Sequence, residues 1–339
     1  MILKLNSIID YNMICLGIES TAHTFGIGIV NDKGEILVDE KDVYRQEAGK
    51  GIVPHEAAEH HRKVSGDVLE KALKKSGLKI EDVDIIAYAA GPGLPPCLLA
   101  GADFAIELSK KYKKTLVPVN HSLAHVEIGK LTAGSKDPIV VYLSGGNTQI
   151  ISFVDGKYRV FGETLDIPVG NAIDSFARQV GIEPPYGPNF DKCAEQGKNY
   201  IDLPYVVKGM DLSFSGIVTD AVRKVKNGLK KEDVCYSMQE TCFSMITEVT
   251  ERAMAHTVKK EVLLVGGVAA SRRMQEMMGQ MCKDRGAKLY AVPKEYAGDC
   301  GSNIAWTGVL IHKSGCKEEI KDKFNPKWRV DEVEIKWLR

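Results

Sequence analysis

Three short apolar strands, linked by tight turns and followed by mixed helix and strand, occur twice in this chain. That repetition restricts its fold more than any other feature. The first set is Ile14–Glu19, then 26–30 and 35–39, with Asn31-Asp32-Lys33-Gly34 as a turn. A helical pattern follows over Pro54–Ser76, with apolar Val64, Val68, Leu69 and Leu73 along it. Next come a buried-type strand at 85–89, the loop GPGLPPCLLAG leading into a helix through Leu108, and a strand at 116–119. The second set is Ile139–Leu143, 149–154 and 158–161, with Asp155-Gly156-Lys157 as its turn. Helical segments and strands at 262–265 and Lys288–Ala291 follow, and a last helical pattern covers 304–312.

The order β-β-β-α-β-α, duplicated, predicts an α/β chain of the actin/Hsp70/sugar-kinase-like architecture, in which two lobes hold a nucleotide in the cleft between them. The 339 residues suffice for two cores. The expected division is an extra segment at 1–13, a first lobe at 14–134, a second lobe at 135–303, a helix at 304–325 returning to the first lobe, and a tail at 326–339. The start MILKLNSIID resembles neither a signal nor a folded strand, which makes Met13 the expected natural first residue. Lys+Arg 45 balances Asp+Glu 45, so no overall basic field draws in nucleic acid. Such contact falls to a partner's surface or to local patches, Lys110-Lys111-Tyr112-Lys113-Lys114 and Arg223-Lys224-Val225-Lys226, each of which alone reads as a solvated helix end. The cysteines form no CxxC and no secretory signal is present, which points to reduced thiols and a cytoplasmic protein. No apolar run reaches the ~18 residues of a membrane span.

The stretch VNHSLAHVEIG sets His121 and His125 four apart in a segment of helical character. On a helix such a pair shares one face and can ligate one metal ion. It is not the H-E-x-x-H of a zinc protease, because Ser122 stands where the general-base Glu must be. The plainer reading is two histidines satisfied by local hydrogen bonds. In PHEAAEHHR, His55 and His60 are five apart and so turned ~140° from each other, which reads as a polar helix start.

Two buried strands end in Gly-Gly, at Leu143-Ser144-Gly145-Gly146-Asn147 and at Val265-Gly266-Gly267-Val268 through Ser271. Missing Cβ atoms let the backbone approach phosphate or ribose oxygens closely, although neither turn is a P-loop or G-x-G-x-x-G. Asp166, Asn171, Asp174, Gly187 and Asp191 lie in small-residue turns that suit ribose hydroxyls, or equally turn and helix-cap chemistry. Asp299, between glycines and before a helix, is either the N-cap near Ser302 or a carboxylate projecting from its loop.

Eight stretches jointly resemble one known family: GIESTAHTFGIGI, GPGLPPCLLAG, NHSLAHVEIG, YLSGGNTQI, GETLDIPVGNAIDSFAR, MDLSFSGI, LVGGVAASRRM and EYAGDCGSNIAW. In order and at family-like spacing, from Ile14 to about Trp337, they are similar to the universal tRNA threonylcarbamoyladenosine transferases. The likeness is greatest to the archaeal and eukaryotic branch, the catalytic subunit of the KEOPS complex. The resemblance implies the same two-lobe fold. It also implies transfer of threonylcarbamoyl from threonylcarbamoyl-AMP to N6 of adenosine 37 in tRNAs reading ANN codons, with release of AMP. By position, His121, His125, Tyr142 and Asp299 resemble the metal set, for one Fe per subunit with Zn as the alternative. Tyr142, Leu143, Ser144, Gly145 and Gly146, with Asp174, Gly187, Asp191 and Ser271, fall where the family contacts the nucleotide. Gly266 and Gly267 are further candidates, and no residue is assigned as general base. Asp191 stands where Glu is usual, Ser271 where Asn is usual and Cys97 where Ser is common. Implied partners are tRNA, a small atypical kinase working as an ATPase, which some archaea fuse C-terminally, and a small dimerising subunit; no membrane is implied. The alternative is an ATP-dependent small-molecule kinase of the same fold.

Overall fold

The structure is a computed structural model, and it describes residues 12–45, 51–316 and 322–338. Nearly all of the segment expected at 1–13, and part of the helix expected over 304–325, lie outside the described residues.

The elements follow in chain order. β1 (Ile14–Glu19), β2 (Thr24–Asn31) and β3 (Ile36–Val43) lead to α1 (Pro54–Ser76), β4 (Ile85–Gly91), α2 (Pro95–Tyr112), β5 (Thr115–Asn120) and α3 (His121–Ala133). The second set begins with β6 (Ile139–Leu143), β7 (Thr148–Val154) and β8 (Lys157–Glu163), then α4 (Val169–Gln179) and α5 (Gly187–Ala194). A two-residue hairpin, β9 (Val207–Lys208) and β10 (Asp211–Leu212), precedes α6 (Ser215–Lys226) and α7 (Lys231–Thr257). β11 (Glu261–Val265), α8 (Arg272–Asp284), β12 (Lys288–Ala291), α9 (Lys294–Ala297) and α10 (Gly301–Ser314) complete the order.

The duplication is one of topology. One sheet has the order β3-β2-β1-β4-β5 and the other β12-β11-β6-β7-β8, the same order read from its far edge. In each, three antiparallel strands are extended by two parallel ones. The strands expected at 26–30 and 35–39 run longer than their apolar runs, and β3 extends to Val43 because backbone pairing to β2 continues after the apolar pattern fades.

Two compact units result. Among the described residues the first comprises 12–45, 52–124, 299–316 and 322–328, and the second comprises 51, 125–298 and 329–338. The division passes inside α3, between Ala124 and His125, rather than at the 134–138 turn. The body of α3 joins the second unit because Gly129 lets it lie on β11, where a Cβ would stand 2.6 Å from Val265. The core of the second unit gathers apolar side chains from β6, α4, α6, α7 and α8, with Phe176, Phe190, Phe214 and Phe243 fully buried.

In the first unit, α10 packs on β1 and β2 at backbone contact. A Cβ on Gly28 would meet the Ser302 nitrogen at 2.0 Å, and one on Gly17 the Ala305 nitrogen at 2.2 Å. Gly66, exposed in the middle of α1, has nothing within 4 Å of such a Cβ. Gly28→Ala should therefore destabilise the fold by ~3 kcal/mol or more through overpacking. Gly66→Ala should stabilise it by ~0.5–1 kcal/mol through helix propensity alone. Urea unfolding of both variants checks this; equal effects would show that α10 is not seated on bare backbone.

Candidate functional site

The two histidines stand where a strand turns directly into a helix. Asn120 ends β5, and its side-chain oxygen accepts the Leu123 N–H at 3.0 Å, capping the first turn of α3. Its amide nitrogen donates to the Trp328 carbonyl at 3.0 Å, which fixes the cap. α3 then runs unbroken through His121 and His125, both buried and one turn apart on one face.

His121 is held from below. Glu19, the last residue of β1, places a carboxylate oxygen 2.8 Å from His121 Nδ1. Its other oxygen accepts the Thr21 N–H at 2.7 Å and the Thr21 hydroxyl at 2.5 Å. A carboxylate at Nδ1 requires the hydrogen there, which turns Nε2 outward. Nε2 lies 3.6 Å from a carboxylate oxygen of Asp299. Burial works against the imidazolium, but the charge and hydrogen bond of Glu19, and then the charge of Asp299, outweigh it and raise the His121 pKa to about 9.

Asp299 lies just before α10. At the start of that helix the Ser302 N–H donates at 2.8 Å to Asp39 of β3. Lys41, also on β3, donates to the Asp299 carbonyl at 3.4 Å and to the Cys300 sulfur at 3.3 Å. Among the described residues, one group of His, Cys, Asp and Glu could hold a metal ion. It is His121, His125 and Asp299, whose ligand atoms lie within 4.8 Å of one another. Tyr142, fully buried at the end of β6, sets its ring 5.0 Å from that of His125, centroid to centroid. His55, His60 and His61 have structural partners. His55 faces Glu59 across one turn of α1, His60 meets Asp42 at 2.9 Å, and His61 contacts the Ala22 carbonyl at 3.0 Å. Burial pushes the His61 pKa down to about 4, so it stays neutral.

In the second unit the turn after β6 is folded on itself. The Ser144 N–H donates to the Asn147 carbonyl at 2.8 Å, and the Ser144 hydroxyl accepts N–H groups of Gly146 and Asn147 at 3.2 and 2.9 Å. Three of its four N–H groups are thus paired internally, so the expected cradle of donors is narrower than the sequence suggested. What remains is room: a Cβ on Gly145, Gly146, Gly187 or Gly267 would meet nothing within 4 Å. Gly266 is different, since its φ of +90° and the Leu143 oxygen, 2.3 Å from a Cβ there, both demand glycine. Gly170 brings the start of α4 against this turn, where a Cβ would stand 2.6 Å from the Ser144 oxygen.

Asp174 sits half-buried on α4 and Gly187 begins α5. Asp191 and Ser271, two of the three departures from the family pattern, lie together. Burial raises the Asp191 pKa, opposed by the nearby Ser271 hydroxyl and by a hydrogen bond from Gln239 at 2.7 Å. Asp166 belongs to cap chemistry, because its carboxylate accepts the N–H groups of Phe214 and Ser215 at 2.9 and 3.1 Å where α6 starts. Glu19, Asp39 and Lys41 escaped the sequence reading. Glu19 carried a usable signal, an acid inside the otherwise apolar strand ICLGIE.

The family model described as tRNA N6-adenosine threonylcarbamoyltransferase matches residues 35–306. Curated relatives bearing that name include one from Methanopyrus kandleri, 51% identical over 96% of each chain. Another, from Thermococcus kodakarensis, is 53% identical over 96% of this chain and 100% of its own. A Methanocaldococcus jannaschii relative named a probable bifunctional tRNA threonylcarbamoyladenosine biosynthesis protein is 48% identical over 96% of this chain and 61% of its own. The crystal structure of Thermococcus kodakarensis HypF matches with a TM-score of 0.61 at 15% identity, over 90% of this chain and 48% of HypF. That likeness shows the actin/Hsp70/sugar-kinase-like fold. Among the described residues, no helix is long and apolar enough to cross a membrane.

The folded pKa of His121, about 9, lies above the ordinary imidazole value of 6.5. Its contribution to stability is whole below pH 6.5 and is lost as pH rises through about 9. Urea titrations of chelator-treated protein should show stability falling across that window. In Glu19→Gln the fall should flatten, and equal slopes in the two proteins would remove Glu19 as its cause.

Proposed function

Because the chain belongs to the tRNA N6-adenosine threonylcarbamoyltransferase family, and so is a tRNA-modifying transferase, we propose that it carries threonylcarbamoyl from threonylcarbamoyl-AMP to N6 of adenosine 37 in tRNAs reading ANN codons. The observation that carries this reading is the meeting of His121, His125 and Asp299 ligand atoms within 4.8 Å, with Glu19 fixing the His121 ring. The donor set fits a resident metal ion. It offers two imidazoles and a carboxylate, with Nδ1 of His121 already bonded to the Glu19 carboxylate, the usual outer-shell arrangement. Two nitrogens and an oxygen suit Fe, with Zn as the alternative. Such an ion supplies Lewis acidity that polarises the acyl oxygens.

The chain's own residues do the rest. Glu19 holds His121 in one tautomer, and Lys41 fixes the backbone of Asp299. Tyr142 packs on the His125 ring. The open faces of Gly145, Gly146 and Gly267 admit the adenylate close to the backbone, and Asp174, Gly187, Asp191 and Ser271 border it. The adenylate is a mixed anhydride with a good leaving group, so positioning of the weakly nucleophilic adenine N6 supplies much of the rate. The balanced charge of the chain leaves most tRNA affinity to partners. The chain would act in a KEOPS-type assembly with an ATPase subunit; the bifunctional name of the Methanocaldococcus jannaschii relative is in keeping with a second activity joined to this one. A small-molecule kinase of this fold would leave His121, His125 and Asp299 without a task.

Purified protein should hold about one metal ion per chain, and the double variant His121→Ala, His125→Ala close to none. Glu19→Ala should weaken metal affinity by ~10–100-fold while leaving the ligands in place. Wild-type metal content in the double variant would end the metal assignment. The transfer itself is tested by incubating the chain with its partner subunits, the adenylate-forming enzyme, ATP, threonine, bicarbonate and tRNA. Modified nucleoside should appear, and none above a chain-free control would end the proposed reaction.

A further inference from the structure

Inside the second unit, on the same helix as Asp191, two thiols face each other. Cys235 of α7 donates to the sulfur of Cys193 of α5 at 2.9 Å, across 42 positions of sequence. The geometry points to Cys193 and Cys235 as an oxidisable dithiol, a reversible modification site that a hydroperoxide closes to a disulfide, tying α5 to α7. This inference does not depend on the proposed transfer reaction.

The pair sits within a hydrogen-bonded seam that prevents the sulfurs from parting. On one side Gln239 donates to Asp191 at 2.7 Å. On the other, Asp233 accepts the N–H groups of Lys198 and Asn199 at 2.8 and 3.2 Å, and the Ser237 hydroxyl accepts the Ile201 N–H at 2.8 Å. Asp191 and Cys193 share α5, while Asp233, Cys235, Ser237 and Gln239 share α7, so the contacts to either side keep the two thiols in register. Other thiols are used differently. Cys15 and Cys97 point at the carbonyls of Leu16 and Pro54, at 3.9 and 3.6 Å.

The two sulfurs have unequal roles. The hydrogen bond from Cys235 holds the Cys193 thiol below its ordinary value, against burial, while the same bond and burial raise Cys235. Cys193 also keeps 9% of its surface exposed, whereas Cys235 has none. Cys193 is therefore the attacking thiolate. Its sulfur displaces alkoxide from the O–O bond of the hydroperoxide; the alkoxide takes up a proton and leaves as the alcohol, and Cys193 becomes a sulfenic acid. The Cys235 sulfur then attacks that sulfur, the S–S bond forms, and the sulfenic hydroxyl leaves with the thiol proton as water. Two thiols and one hydroperoxide thus give one disulfide, one alcohol and one water, and a dithiol reductant reverses the change.

The full-length chain is treated with hydrogen peroxide, alkylated after denaturation and mapped by mass spectrometry. The expected result is a loss of two hydrogens and a cross-linked peptide pair carrying Cys193 and Cys235, both reversed by dithiothreitol. Oxidised protein should also unfold ~5 °C or more above the reduced form, because the bond closes a long loop. Cys193→Ser and Cys235→Ala should each abolish the cross-link. The wild-type map decides the matter even if a variant fails to fold. Both thiols recovered alkylated, Cys193 ending as a sulfinic acid without a cross-link, or either one joined to a different cysteine would overturn the proposal.

Discussion

A carboxylate at the end of a fully buried strand needs partners, and Glu19 finds them in Thr21 and His121. Left unpaired in that position, the charge would cost several kcal/mol. β1 therefore cannot pack without settling where α3 begins, which imidazole nitrogen carries the hydrogen and which way the other one points. Asn120 reinforces the same turn from the strand side through its cap to Leu123. The orientation of His121 is thus a condition for closing the core of the first unit, and not a detail added to a finished fold.

The arrival of Asp299 depends on a second constraint. Its loop comes late in the chain and reaches His121 only because α10 settles on bare backbone at Gly17 and Gly28. A helix start carries unpaired N–H groups that attract the nearest carboxylate, with a cap contributing ~0.5–2 kcal/mol. Asp39 accepts the Ser302 N–H, Lys41 secures the Asp299 carbonyl, and an Asp299 carboxylate oxygen lies 3.6 Å from His121 Nε2. One strand, β3, thereby holds the backbone around a residue over two hundred positions away.

The repeated strand order was legible because strands buried on both faces leave unbroken apolar runs, as in Ile139–Leu143. α7 was read only as helical segments. It is buried on several sides and buries polar Asp233, Ser237, Gln239 and Thr250 along with its apolar residues, so no clean stripe marks it. The pairing of His121 with His125 could be read from helical spacing, whereas Asp299 was placed by family resemblance alone. The partnerships of Asp191 with Gln239 and of Asp166 with the start of α6 join residues nearly fifty positions apart. Nothing local in either stretch distinguishes such a structural partner from a ribose contact. For the turn after β6, sequence showed the missing Cβ atoms but not the Ser144 hydroxyl that takes up two of its N–H groups.

The same topology has been put to opposite uses in the two units. The connection from β1 to β2 is filled by side chains, with Glu19 and Thr21 locked together and charge concentrated on His121. The corresponding connection from β6 to β7 is stripped of them, its glycines facing open space and its amides folded onto one hydroxyl. A filled, polarised turn can hold charge in a fixed place but cannot admit a bulky group to its backbone. A bare turn can admit such a group but offers it little charge. The two connections differ in this way although the strand order around them is the same.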